Sequence, residues 1–130
     1  MKAIRQNLLA FVLVAIAAGC AFAPVATRNV SYSAALSQGD VIEVAIDAAR
    51  EAKFPAATKI DKQNGSVEFG NYQMSELGTT ALIRVKSPTE IEINIKRGSV
   101  YVPLGADKGA DQFRSIFEAK LREAEHTVRK

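Results

Sequence analysis

The sequence predicts an α+β fold: a two-layer sandwich, with an antiparallel sheet of four to five strands and two helices on one face. Three observations lead there. Two segments, around Val41 to Ala52 and Ala110 to Val128, repeat apolar residues at helical spacing. Between them lie short runs that alternate apolar and polar residues, bounded by turn residues. These strands are apolar on one side only, which suits an antiparallel sheet whose helices share a single face. The expected order is β-α-β-β-β-β-α.

Arg28 to Ala34 reads as the first strand, with Val30, Tyr32 and Ala34 on one side and Asn29, Ser31 and Ser33 on the other. Ser37 then caps a helix, and Asp40 stands three residues on, where it completes a capping box. Val41, Ile42, Ala45, Ala48, Ala49 and Ala52 form the apolar stripe. Its alanines are small enough to let the helix lie close to a sheet. Phe54-Pro55 ends the helix, because the residue before proline disfavours the helical region.

Two hairpins follow. Asn64-Gly65 is the favoured pair for a two-residue type I′ turn, which sets Ile60 opposite Phe69 and Lys62 opposite Val67. In the second hairpin, Thr79 to Lys86 and Glu90 to Lys96 flank Ser87-Pro88-Thr89. A three-residue loop pairs Val85 with Ile91, Ile83 with Ile93, Lys86 with Glu90 and Arg84 with Glu92. Facing opposite charges each add about 0.2–1 kcal/mol. A one-residue slip would bury those charges, so the register is well specified. Gly98 turns the chain into Ser99 to Val102, a further strand ending at Pro103.

The last helix starts near Asp107. Ala110, Phe113, Ile116, Phe117, Leu121, Ala124 and Val128 make its apolar stripe, and Arg114, Glu118, Arg122, Glu123 and Glu125 its polar face. At about 2 kcal/mol per large buried side chain, Phe113, Ile116, Phe117 and Leu121 contribute roughly 8 kcal/mol gross.

Residues 1–19 have a different character. Lys2 and Arg5 form a positive start, Leu8 to Gly19 is an uncharged run, and the small residues Ala17, Ala18 and Gly19 precede Cys20. This is the order of a secretory leader. The Ala-Ala-Gly-Cys ending resembles the lipobox of bacterial lipoproteins. The resemblance implies lipidation of Cys20, which becomes the first mature residue, followed by a tether over residues 20–27. Ala17 stands where that family usually has Leu. Ala21 is not Asp, so the family's sorting rule points to the outer membrane. Two other readings remain: cleavage after Ala21 or Ala23 to give a free periplasmic protein, or a membrane span over Leu8 to Ala26.

The single cysteine fits export, since it leaves no free thiol in an oxidising compartment. Removing Lys2 and Arg5 leaves fifteen bases against fourteen acids, a net charge of +1. That is no footprint for nucleic acid, which needs a clustered basic face.

The inventory for chemistry is thin. His126 is the only histidine and stands four residues from the C-terminus. A Ser-His-Asp triad, a Cys-His pair and a zinc site all lack their members. Asp40, Glu43, Asp47 and Glu51 share the first helix and read as a solvated face near a helix start. Asp107 and Asp111 lack EF-hand spacing. The glycines form no phosphate loop. No cofactor, metal or catalytic residue is therefore expected. A candidate interaction patch does emerge on the outer sheet face, where Leu82, Arg84, Glu92, Asn94 and Tyr101 should project together.

The Ala-rich helix ending at Phe54, the Lys62-Gln63-Asn64-Gly65 turn, the Ile91-Glu92-Ile93-Asn94-Ile95 strand and the Phe113-to-Leu121 helix together resemble small bacterial lipoproteins with one compact α+β domain. They also resemble the accessory domains of envelope-assembly lipoproteins. The resemblance transfers no functional residue. The missing catalytic inventory, beside a tethered and well-patterned fold, leads to the expectation of a non-enzymatic envelope module that contacts a protein partner and, through its lipid, the membrane. A carrier of small hydrophobic ligands or lipids is the alternative.

The leader reading predicts a processed chain. Intact-mass analysis of membrane-extracted protein should give residues 20–130 plus acyl chains, and Cys20→Ala should remove the acyl mass. An unprocessed, unacylated chain in the cytosol would overturn it.

Overall fold

The computed structural model describes residues 25–72, 78–97 and 105–128. Seven elements follow in the expected order: β1 (Val25–Ser31), α1 (Gln38–Glu51), β2 (Ala57–Asp61), β3 (Ser66–Phe69), β4 (Thr79–Ser87), β5 (Glu90–Arg97) and α2 (Ala106–Val128). The fold is the predicted α+β sandwich. The leader, Cys20 and the expected strand over Ser99 to Val102 lie outside the described residues.

The five strands are antiparallel and stand in the order β1-β5-β4-β3-β2. Their inner face presents Ala26, Val30, Val67, Phe69, Ala81, Ile83, Ile91, Ile93 and Ile95, all buried. α2 lies over β1 and β5, and α1 lies over β3 and β4. Both helices meet one continuous apolar cluster with this face.

The start of α1 is as the sequence predicts. Ser37 Oγ accepts from Asp40 N–H at 3.1 Å, and the Asp40 carboxylate accepts from Ser37 N–H at 3.1 Å. Val41, Ile42, Ala45, Ala48 and Ala49 are buried, so the thin stripe does bring the helix down onto the sheet. The helix ends through Lys53, whose φ of 61° is left-handed, with Phe54 N–H donating to Ala49 O at 2.9 Å. Phe54 then stacks on Phe113 at 5.1 Å, and Phe113 on Phe117 at 5.5 Å. Phe113, Phe117 and Leu121 are fully buried, whereas Ile116 is only half-buried and Val128 is 52% exposed. The α2 contribution therefore rests on three side chains rather than four.

Several details differ from expectation. β1 begins at Val25, inside the expected tether, because Ala26 and its neighbours find partners along the full length of β5, from Val25 opposite Lys96 to Ser31 opposite Glu90. Ala34 lies in an exposed turn instead of the strand. The first hairpin pairs Ile60 with Val67 and Asp61 with Ser66. Its loop is Lys62 to Gly65, not Asn64-Gly65 alone. The Asp61 carboxylate accepts from Asn64 N–H at 3.0 Å and from the Asn64 amide at 2.8 Å, which holds a wider turn. Only Gly65 takes positive φ, at 69°. The shift is two residues, so the same side chains still share each face. In the second hairpin Val85–Ile91, Ile83–Ile93 and Arg84–Glu92 pair as expected. Ser87, not Lys86, faces Glu90, because an irregularity at Lys86 leaves a two-residue turn.

Glu125 is the largest departure from the expected polar face of α2. It is 8% exposed, accepts from Ser33 N–H at 2.8 Å, and meets Arg122 Nη1 at 2.7 Å. Burial of this carboxylate is sustained by those donors. It ties the α2 C-terminal half to the turn that follows β1.

Both sheet edges carry features that hinder the addition of further strands. Tyr32 N–H donates to Thr89 O at 2.9 Å, so by alternation the even-numbered β1 residues face β5 and the odd-numbered ones face outward. Two of those outward carbonyls are capped: Thr27 O by Arg28 Nη1 at 2.9 Å and Ser31 O by Arg122 Nη2 at 2.8 Å. At the other edge, β2 is short and irregular between Ala57 and Lys59. Such edges resist pairing with other chains.

A Cβ at position 65 would stand 2.8 Å from Gln38 Oε1 and 2.9 Å from Val85 Cβ. Gly65→Ala should therefore cost about 1–3 kcal/mol through crowding and left-handed strain. Asn64→Ala, which removes only exposed turn bonds, should cost less than about 1 kcal/mol. Urea denaturation of the two variants checks the order.

Candidate functional site

The outer sheet face brings four of the five patch residues together. Strand register sets Leu82 opposite Asn94 and Arg84 opposite Glu92, with Glu68 on the far side of Leu82. Tyr101 lies outside the described residues.

Glu92 is the hub of this face. Its carboxylate accepts from Arg84 Nη2 at 2.6 Å and from the Asn94 amide at 2.9 Å, and Lys86 Nζ stands 3.6 Å away. Asn94 Oδ1 in turn accepts from Thr27 Oγ1 at 2.9 Å. The network thus crosses β4, β5 and β1. The Asn94 amide first, and the Arg84 guanidinium next, hold the Glu92 carboxyl below its ordinary value. A carboxylate that is 15% exposed and tied on both sides is a fixed negative point, not a free-swinging surface acid.

An aromatic residue reaches the same face from an element the sequence reading passed over. Gly70 has φ 67° and turns the chain after β3, and Tyr72 follows. Lys96 Nζ donates to Tyr72 O at 2.7 Å and stands 4.1 Å from the centre of its ring. Burial, then the neighbouring Glu92 carboxylate, pushes the Tyr72 phenol above its ordinary value. Glu68 and Thr80 belong to this outer side, yet are only 6% and 4% exposed. Glu68 has Lys59 Nζ at 3.8 Å. The outer face is therefore covered around Glu68 and Thr80. Tyr72 could be found in the sequence only as an aromatic beside a turn glycine, with nothing to say on which face it would land.

The other sequence candidates fall elsewhere. His126 is exposed near the end of α2. Asp107 and Asp111 at the start of α2 both hold Arg28 of β1, at 3.0 and 2.9 Å. Asp40, Glu43, Asp47 and Glu51 lie along α1, with Glu43 meeting Lys62 at 2.7 Å and Glu51 meeting Lys120 at 3.0 Å. Among the described residues no group of three His, Cys, Asp or Glu is placed to hold a metal ion. No described helix is long and apolar enough to cross a membrane.

No family model, curated protein or solved structure matches the chain.

The Glu92 network makes a titration prediction. Because its folded value is depressed, its stabilising effect is present above the ordinary carboxylate range and is lost as pH falls through the folded value. NMR titration should place the Glu92 midpoint below that of an ordinary Glu. Asn94→Ala should raise the midpoint, and Glu92→Gln should flatten the acid limb of the stability curve.

Proposed function

We propose that this chain is a cell-envelope lipoprotein, anchored through Cys20, whose domain serves as an interaction module for an envelope protein. The outer membrane, on its periplasmic side, is the destination that Ala21 favours. The single observation that carries the interaction reading is the outer sheet face. There Leu82 is set among Arg84, Glu92 and Asn94, and the polar groups are already held in position by one another and by Thr27. Polar groups fixed before contact lower the ordering cost of an interface. The capped β1 carbonyls and the short, irregular β2 favour the face over a strand edge as the contact.

The carrier reading draws less support. It needs space between helices and sheet. A cleft of about 440 Å³ does lie there, between the end of α1 and β2–β3, lined by Ile46, Ala49, Phe54, Pro55, Ala57 and Phe69, but Ala45 and Ala48 are fully buried under the rest of α1.

Leu82→Asp combined with Arg84→Glu should abolish co-purification of the partner from detergent-solubilised native membranes. The double variant sets new carboxylates against Glu92 and Glu68, so its melt should fall; Leu82→Ser, which leaves the Arg84–Glu92 pair intact, is the second variant and should weaken capture with little change in the melt. Retention of the same partner by the folded double variant, or recovery of none by the natural chain, would sink the proposal.

A further inference from the structure

The two helices run side by side over the sheet and leave a groove between them of about 460 Å³, to which no strand residue contributes. Its floor is apolar, made by Leu36, Val44, Ala124 and Val128. Val128 keeps 52% of its surface exposed, so the floor is open to solvent at this end. The rim is acidic. Asp40, Glu43 and Asp47 line one side at helical spacing on α1, and Glu123 stands on the other.

The charge of this groove is lopsided. Lys120 is the one base in its lining, and Glu51, outside it, already holds that amine at 3.0 Å. Glu43 meets Lys62 at 2.7 Å and Asp47 meets Arg50 at 3.3 Å. Both pairs are solvent-exposed, so they contribute little and exchange readily for a better-placed cation. Glu123 has no ion-pair partner among the described residues. Residues 20–130 carry fifteen bases against fourteen acids, so this concentration of carboxylates is a local feature and not a property of the whole surface.

We propose that this groove docks a basic amphipathic helix of a partner protein. An apolar stripe at i, i+3 and i+7 would lie on Val44, Ala124 and Val128, and Lys or Arg residues flanking it would meet Asp40, Glu43, Asp47 and Glu123. From Asp40 to Asp47 the wall runs about 10 Å, so the groove takes about two turns of helix. The carboxylate rim repels anionic headgroups and acidic segments, which makes a cationic protein helix the complementary occupant. The site is on the helical layer and is independent of the sheet face proposed above.

Calorimetry of the intact protein in detergent tests this with two designed peptides of about 14 residues, the length at which an isolated helix becomes marginal. One is Leu/Lys with leucines at helical spacing, and the other has every Lys replaced by Glu. The Lys peptide should bind and the Glu peptide should not. Glu43→Lys with Glu123→Lys should weaken the Lys peptide at least about tenfold, and added salt should weaken it further. Ala124→Arg, which fills the floor without removing a carboxylate, should also block it. Equal binding of the two peptides, no binding of either, or undiminished binding by the folded variants would overturn the proposal. Leu82→Asp with Arg84→Glu should leave peptide binding unchanged, so failure of the sheet-face reading and failure of this one are separable.

Discussion

The pairing of β1 with β5 is the constraint on which the rest of the structure depends. It joins the first described strand to the last one, across most of the domain, and so carries the largest loop-closure cost of any ladder in the sheet. What offsets that cost comes from α2. The helix rests on β1 and β5, buries Ala26 and Val30 beneath it, and is held to β1 by Arg28 at one end and by the Ser33–Glu125 bond at the other. Each part completes the other: β1 supplies part of the floor of α2, and α2 covers the inner face of β1. The β2–β3–β4–β5 meander and α1 are by contrast built from contacts closer in sequence. Assembly in which the meander forms first and β1 closes with α2 follows from that asymmetry.

Much of this was legible in the residues, for identifiable reasons. The Ser37–Asp40 box and the two apolar stripes declare the helices because capping and periodicity are local. The β4–β5 register was readable because isoleucines and opposed charges both penalise a slip. The first hairpin was misread because Asn-Gly signals a tight turn, while the Asp61 carboxylate, three residues before Asn64, favours a wider one. Glu125 was misread because it is four residues from buried Leu121 and its decisive partner, Ser33 N–H, is 92 positions away. No helical pattern contains that information. The patch shows the same division. Register placed Leu82, Arg84, Glu92 and Asn94 on one face, but the position of Tyr72 depends on the turn at Gly70 and on Lys96, which local pattern does not encode.

The two layers handle charge in different ways. On the sheet, Glu92 is satisfied by neighbours on its own and adjoining strands, so opposite charges there neutralise one another within the surface and present shape and directed hydrogen bonds. On the helices, the acids of α1 stand outward, and their cations are Arg50 on the same helix, Lys62 in the first hairpin loop and Lys120 on α2. A near-neutral domain thus has one surface that is electrically quiet and one that is not. Long-range attraction would act mainly on the helical side.

The guanidinium groups of Arg28 and Arg122 over the outward carbonyls of Thr27 and Ser31 have a consequence for how the molecule lives among its own copies. An edge strand is the usual point at which chains knit together into extended ribbons when they are crowded. Guanidinium stays charged at every physiological pH, so this barrier does not lapse when a compartment acidifies. A second copy approaching this strand would find two of its acceptors already taken.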